Sequence, residues 1–282
     1  MSKKKNKKDC IPDLVSMGIR ILKSGKLKLS KGYVISMDEL SKDAIANTIG
    51  SRYEALEDNS AVSSDTSKKG EVCGQWCSLM KTYRMMSKVD EAGNEELTIV
   101  YPIARKHAAE IFDYAGSTVI GQLLRISNLG TIYNAVHENW TNLLKASKSM
   151  DCLLYIPGIT IFADDELRIF TEKQTKVNLL LFVVRGKVSE APDFLDDEEK
   201  PETDNSTVAD RVLDSAVKLG CTNLLVDPLS FKNYQKDVRE AGKEWKKAVE
   251  DESNATHLHT VTFCVEDDDD FIVFWKNLGK HE

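Results

Sequence analysis

The chain lacks several features that would assign it to a protein class at once. No window holds the roughly 18 apolar residues that a membrane-spanning helix needs, and no apolar stretch follows the N-terminal lysines as it would in a secretory signal. The P-loop and G-x-G-x-x-G patterns of nucleotide-binding folds are also missing. We therefore expect a cytoplasmic protein with no membrane contact.

Metal-ligand clusters are equally scarce. Among six scattered cysteines, only Cys73 and Cys77 form a close pair. A zinc site would need two further ligands, for which His257 and His259 are the paired candidates, although their spacing is generic. Free thiols in a reducing compartment are the favoured interpretation. We expect neither a metal nor a cofactor.

The charge of the chain is unevenly distributed. The net charge over 282 residues is −7, which argues against a duplex nucleic-acid binder because such domains carry basic faces. Residues 1–10 nevertheless contain five lysines and predict a disordered basic tail. Such a tail would contact an acidic surface such as RNA, acidic lipid or tubulin, or serve only as a soluble end.

Residues 11–96 predict a helical N-terminal extension. Apolar residues over 11–24 are compatible with a short amphipathic helix. A second helix is predicted over 36–53, where Ser36 and Glu39 form an S-x-x-E capping box. Residues 54–70 are polar and rich in Ser, Asp and Lys, which predicts a mobile loop.

Residues 97–282 alternate between strand and helix patterns. Continuous apolar or β-branched runs predict strands over 97–101, 153–156, 177–185, 223–226 and 258–265. Helical patterns cover 103–112, 123–144, 208–219, 234–249 and 271–278. An acidic, proline-containing loop over 189–206 interrupts them. This order predicts an α/β fold, a mixed sheet between two helical layers.

Five passages resemble a known family, including 177–194 and 259–278. LLYIPGITIFADDE (153–166), RVLDSAVKLGCTNLLVDPLSFKN (211–233) and LLRISNL (123–129) are similar in pattern and order to microbial-type poly(ADP-ribose) glycohydrolase macrodomains. The resemblance covers roughly residues 97–280 and implies a macrodomain over 97–282. It also implies that Asp164, Phe231 and Asn233 lie at vestigial ligand-binding positions. For Phe231 and Asn233, an apolar wedge and a turn residue are the favoured alternatives.

The catalytic motif of the family is not present. Active relatives place a glycine triplet and Q-E-E directly before R-x-S-x-L, whereas residues 117–122 here read STVIGQ. Glycosidic cleavage needs a carboxylic acid to protonate the leaving oxygen, and an amide such as that of Gln122 has no proton to exchange. The nearest acids, Glu110 and Asp113, would have to be re-aimed. We expect no catalytic residue.

The phosphate-binding loop also departs from the family pattern. The resemblance implies glycines whose backbone N–H groups contact the diphosphate. Here the loop reads Asp227-Pro228-Leu229-Ser230 and contains no glycine. Pro228 has no N–H, and Asp227 brings a negative charge to the place where phosphate would bind.

The four aspartates at 267–270 have two interpretations. A cation site would take several oxygens from a shaped loop. The favoured alternative is a solvated turn whose last aspartate caps a helix beginning near Phe271.

Three hypotheses for function follow. The first is a catalytically inactive macrodomain acting as a structural or interaction component of a larger intracellular assembly, with cytoskeletal and ciliary microtubule assemblies among the candidates. The second is a reader of ADP-ribose or another nucleotide. The third is a divergent glycohydrolase that uses Glu110 or Asp113.

Overall fold

The computed structural model describes only part of the chain. The described residues are 26–28, 34–56, 71–75, 80–81, 97–105, 108, 112, 118–147, 150–163, 175–184, 206–229 and 237–279. The chain divides into two compact units, Met1–Thr48 with Ala109–Thr141 and Ile156–Val177, and Ile49–Ala108 with Asn142–Tyr155 and Asn178–Glu282. The predicted tail 1–10, the helix 11–24, most of the loop 54–70 and nearly all of the acidic loop 189–206 lie outside the described residues.

Nine strands are described. They are β1 (Lys26–Lys28), β2 (Val34–Ser36), β3 (Ile49–Arg52), β4 (Glu71–Gln75), β5 (Leu97–Ala104), β6 (Cys152–Ile161), β7 (Thr175–Val184), β8 (Asn223–Val226) and β9 (Thr260–Cys264). β1 and β2 form an antiparallel pair. The other seven form one sheet in the order β3-β6-β7-β5-β8-β9-β4. β7, β5, β8, β9 and β4 run parallel, whereas β3 is antiparallel to β6, so the sheet is mixed.

Seven α-helices accompany the strands in the described part. They are α1 (Met37–Ala46), α2 (Val119–Ile126), α3 (Leu129–Ala146), α4 (Val208–Lys218), α5 (Val238–Glu250), α6 (Glu252–His257) and α7 (Asp268–Asn277). None of these helices is long and apolar enough to cross a membrane.

Polar side chains define where the helices of the second unit begin. Thr207 and Asp210 form a reciprocal capping box at α4. At α5, the side chain of Asp237 accepts from the N–H groups of Glu240 and Arg239. These hydrogen bonds lower the pKa of Asp237, and the one from Glu240 has the larger effect. At α7, Asp267 accepts from the Asp270 N–H at 3.0 Å. The helix cap is thus Asp267, the first aspartate of the acidic run. The prediction that the last aspartate is the cap was wrong.

Both faces of the sheet are covered in the second unit. Leu180, Phe182 and Val184 of β7 lie in a core shared with α4, α5 and α7, where Phe263 is in edge-to-face contact with Trp245 and Phe274. The alternate β7 residues are equally buried and face the opposite side. There the side chains of Leu143 of α3 and Leu154 of β6 both lie next to Gly50. The predicted layering of helices on both faces of a mixed sheet is therefore confirmed.

The structure corrects several boundaries, and the strand predicted over 153–156 extends from Cys152 to Ile161. The helix predicted over 36–53 begins after Ser36, whose side chain accepts from the Glu39 N–H, but it ends at Ala46. The helix predicted over 123–144 is two helices, and the one predicted from 103 begins instead as strand, because β5 continues to Ala104. The last strand begins at Thr260, two residues later than predicted, and follows a short helix over 252–257.

The segment before residue 97 also supplies sheet strands that were not predicted. β3 and β4 are the two edges of the seven-stranded sheet. Both are short and contain a glycine and charged or polar residues, so neither shows a continuous apolar run. A domain boundary at residue 97 stays a prediction.

Candidate functional site

Four parallel strands end together in the second unit. β5 ends at Ala104, β7 at Val184, β8 at Val226 and β9 at Cys264. Their pairings are all parallel, so their carboxyl ends lie on one edge of the sheet. Open α/β sheets bind ligands at this edge. The described residues that directly follow β5, β8 and β9 therefore form the candidate site.

The turn after β8 is closed by its own first residue. Asp227 Oδ1 accepts from the Leu229 N–H at 3.0 Å, which is an Asx turn. Pro228, the residue between them, has no N–H to offer. An anion at this turn would therefore find a carboxylate, one proline and one N–H that is already engaged. The turn favours neutral or positively charged groups over a phosphate.

The negative charge of Asp227 acts on a tyrosine of the neighbouring strand. Val100 of β5 pairs with Val226, the last residue of β8, so Tyr101 and Asp227 directly follow a paired position. Burial raises the pKa of the Tyr101 hydroxyl, and the charge of Asp227 raises it further. Tyr101 is therefore a neutral phenol at physiological pH, and no phenolate forms beside Asp227.

The residues that were compared with the catalytic motif in sequence lie in the first unit, at the start of α2. Thr118 caps this helix, its Oγ1 accepting from the Gly121 N–H at 3.1 Å. Ile120 and Gly121 are buried and Gln122 is half-buried. From Thr118 to Leu129 the chain contains no aspartate or glutamate. This helix start presents apolar and amide groups and no general acid.

The residues that follow α2 are structural. Asn128, fully buried, accepts from the Thr160 N–H at 2.8 Å through Oδ1 and donates through Nδ2 to the Leu40 carbonyl and to Ser41 Oγ. It links α1, the α2–α3 junction and β6 within the first unit. Sequence reasoning missed this role, because only the fold brings these three segments to one side chain.

Two arginines near the carboxyl edge are committed to the protein itself. Arg105, directly after β5, donates to the carbonyls of Leu144 (2.8 Å) and Met150 and lies 3.7 Å from Cys152 Sγ. Arg211 of α4 is paired with Asp151 at 2.6 Å, with both side chains buried. Neither guanidinium faces solvent as a free anion-binding group. Sequence reasoning found neither residue, since neither belongs to a motif.

Burial also keeps the thiol of Cys152, beside Arg105, protonated and unreactive. Desolvation raises the pKa of Cys152 to about 11, outweighing the nearby guanidinium, which lowers it. The pair formed by Arg105 and Cys152 is therefore not an activated nucleophile.

A groove of about 750 Å³ lies between α4, α5 and α6. One wall carries Lys243, Lys246 and Lys247 and the other carries Asp210 and Asp214. Lys247 Nζ lies 3.9 Å from Asp210 Oδ2 across the groove. The groove includes neither Asp227 nor Tyr101. Its two aspartates, Asp210 and Asp214, each lie within 4 Å of a lysine, as on a solvated helix pair.

The three predicted ligand-binding residues are not among the described residues. Asp164, Phe231 and Asn233, and the alternative acids Glu110 and Asp113, lie outside the described residues. Of the zinc candidates, Cys73 lies in β4 and Cys77 is outside the described part. His257 Nδ1 lies 2.8 Å from the Ser253 carbonyl. Within the described ranges, no group of three or more His, Cys, Asp or Glu side chains could hold a metal ion.

Comparison with known proteins identifies the fold. No family model and no curated protein matches the sequence. Among solved structures, the poly(ADP-ribose) glycohydrolase of Thermomonospora curvata matches with a TM-score of 0.68 and 18% identity, over 95% of this chain and 99% of that one. The chain has the fold of a poly(ADP-ribose) glycohydrolase. The Deinococcus radiodurans enzyme, solved in complex with ADP-ribose, matches this fold with a TM-score of 0.58 and 15% identity, over 84% and 96% of the two chains.

Proposed function

We propose that this chain is a glycohydrolase-fold macrodomain without glycohydrolase activity, which acts as a structural or interaction component of a larger assembly. The carrying observation is the turn after β8. Asp227 consumes the Leu229 N–H, and Pro228 offers none. A diphosphate would have to displace this hydrogen bond and approach a carboxylate, which costs free energy twice.

The absence of a carboxylate at the start of α2 supports the same proposal. Protonating a glycosidic oxygen requires an acid within hydrogen-bond reach of it. The residues from Thr118 to Leu129 supply none. Two separate losses, one for binding and one for chemistry, are more simply explained by a scaffold whose reaction was lost than by a rearranged enzyme.

The direct test is a pair of measurements on the purified full-length chain. Calorimetric titration with millimolar ADP-ribose is expected to give no saturable heat, and incubation with poly(ADP-ribosyl)ated protein is expected to release no ADP-ribose. Release of ADP-ribose would refute the proposal. If release occurs, Glu110→Ala and Asp113→Ala would show which acid is responsible.

A second candidate function, an ADP-ribose reader, is favoured by one observation, the match to an enzyme solved in complex with ADP-ribose. Saturable heat without turnover would establish it in place of the structural role. The matched variant is Asp227→Ala, which removes the charge and frees the Leu229 N–H. In a reader that uses this turn, the variant binds ADP-ribose more tightly than the wild type.

The assembly role has its own test. The full-length chain, tagged in its own cells and sedimented through a gradient, is expected to migrate with a large complex. Deletion of residues 1–10 tests the basic tail. If an acidic surface such as a microtubule is bound through the tail, deletion weakens the association and salt does the same. Sedimentation as a free monomer would contradict the proposed role.

A further inference from the structure

One apolar side chain stands out on the described surface. Ile272 of α7 is the only large hydrophobic residue there that is exposed, at 63%. Single exposed hydrophobics are common, but an exposed isoleucine that continues a larger apolar surface marks an interaction site. The residues around Ile272 therefore decide whether it belongs to an interaction site.

Ile272 continues an aromatic surface that reaches the edge of the sheet. Phe271 and Trp275, one turn apart on α7, stack with ring centroids 5.9 Å apart, and both are only partly buried. Ile272 lies beside Trp275, three positions earlier on the same helix. The Trp275 ring lies against Gly74 of β4, where a Cβ would come within 2.5 Å of it. Only a glycine leaves room for the ring at this strand.

β4 is the outermost strand of the described sheet, and on its outer side it has no partner strand among the described residues. The Glu71 N–H donates to the His259 carbonyl, and the Gln75 carbonyl accepts from the Val265 N–H. Hydrogen bonds alternate along a parallel ladder, so Glu71, Cys73 and Gln75 bond to β9. The N–H and C=O groups of Val72 and Gly74 point away from the sheet. No described strand pairs with them.

Acidic residues flank this surface at both ends. Glu71 is exposed at the start of β4, and Asp267, Asp268 and Asp269 are exposed at the start of α7. Asp268 lies one turn before Ile272 on the same helix. A basic partner would be attracted to this rim, whereas a second copy of the chain would bring the same charges against it.

We propose that the open edge of β4, together with Phe271, Ile272 and Trp275, binds an extended segment of a partner protein that has apolar residues at alternate positions and lysines or arginines at its ends. The segment pairs with the Val72 and Gly74 backbone groups, and its apolar side chains cover the aromatic surface of α7. This inference rests on the proposed role as an interaction component and names the surface that carries that role.

The test uses the full-length protein and a synthetic peptide of alternating valine and threonine with a lysine pair at each end. Binding is followed by fluorescence anisotropy and by exchange of backbone amides. Binding is expected to slow exchange at Val72 and Gly74. Ile272→Asp is expected to weaken binding by about tenfold or more, and because Ile272 is exposed, the variant should fold as the wild type does.

Controls separate apolar contact from charge. Asn142→Asp adds the same charge at an exposed position on α3 and is expected to leave binding unchanged. Asp268→Lys weakens binding of the lysine-flanked peptide and reduces its salt dependence. A peptide with glutamates in place of the lysines is expected not to bind.

Three outcomes would overturn the inference. The first is peptide binding that Ile272→Asp leaves intact, with unchanged exchange at Val72 and Gly74. The second is a dimer in solution that Ile272→Asp dissociates, which makes a second copy the occupant. The third is binding only after removal of residues 1–10, which makes the basic tail of the chain itself the occupant. A chain that migrates with a large complex despite Ile272→Asp would keep the proposed function and reject only this surface.

Discussion

The buried pair of Asp151 and Arg211 gives the sharpest prediction of stability. Arg211 Nε lies 2.6 Å from Asp151 Oδ2, and the two side chains are 6% and 2% exposed. Arg211 Nη1 also donates to the Ser206 carbonyl. The pair therefore ties the first turn of α4 to the start of β6. Replacing Asp151 by asparagine keeps the shape and one acceptor but leaves the guanidinium charge buried without a counter-charge.

Loss of one partner of a buried ion pair costs about 3 to 5 kcal/mol. Asparagine retains a hydrogen-bond acceptor, so we expect Asp151→Asn to lie near the lower limit, about 3 kcal/mol of unfolding free energy. At about 2 °C per kcal/mol for a chain of this size, the melting temperature falls by about 6 °C. Urea unfolding followed by circular dichroism measures the first quantity and calorimetry the second.

The control is an exposed pair between neighbouring helices. Lys247 is 72% exposed and lies 3.9 Å from Asp210, so Lys247→Gln is expected to change stability by less than about 0.5 kcal/mol. The double replacement Asp151→Leu with Arg211→Met removes both charges and is expected to be less destabilised than Asp151→Asn. If Asp151→Asn costs no more than Lys247→Gln, the pair is solvated and the reasoning is refuted.

Three further predictions concern close packing, an inert thiol and a buried amide. A Cβ at Gly242 would come within 2.8 Å of the α7 backbone, so Gly242→Ala costs about 1 to 3 kcal/mol, whereas Gly50→Ala meets ordinary contacts and is nearly neutral in urea unfolding. Cys152 is expected to resist iodoacetamide in the folded state. Burial raises the pKa of its thiol from 9.0 to about 11, so the free energy of unfolding falls between those pH values, because the thiol ionises in the unfolded chain first. Cys152→Ala is expected to remove that part of the fall. Asn128→Ala leaves the Thr160 N–H buried without its acceptor and costs about 1 to 3 kcal/mol; equal stability of variant and wild type would contradict this.

Patterns that depend on local chemistry were readable in advance. The strand predicted over 223–226 is β8 with the same bounds, and the helix predicted over 208–219 is α4, one residue shorter. A strand buried on both faces needs a continuous apolar run, and a capped amphipathic helix needs a periodic stripe. Both requirements are visible in a short window of sequence.

The edge strands and the interrupted helix were not readable in the same way. Within the described sheet β4 (EVCGQ) pairs only with β9, and its sequence has no continuous apolar run. At the break between α2 and α3, Ser127 accepts locally from the Leu129 N–H, but Asn128 bonds to partners on α1 and β6 that lie 87 and 32 positions away. No local window contains that information, because the stabilising contacts are long-range.

The candidate site divides along the same line. By itself, the sequence determined that the positions resembling the catalytic motif carry no acid and that the turn after β8 begins with Asp-Pro, since these are facts of residue type. The hydrogen bond from the Leu229 N–H to Asp227 is local to the turn. Only the tertiary structure decided that Arg105 and Arg211 bond to the protein and that the helix bearing Ile272 packs against an edge strand. These are matters of distance and burial, and they arise only when segments far apart in the chain meet in the fold.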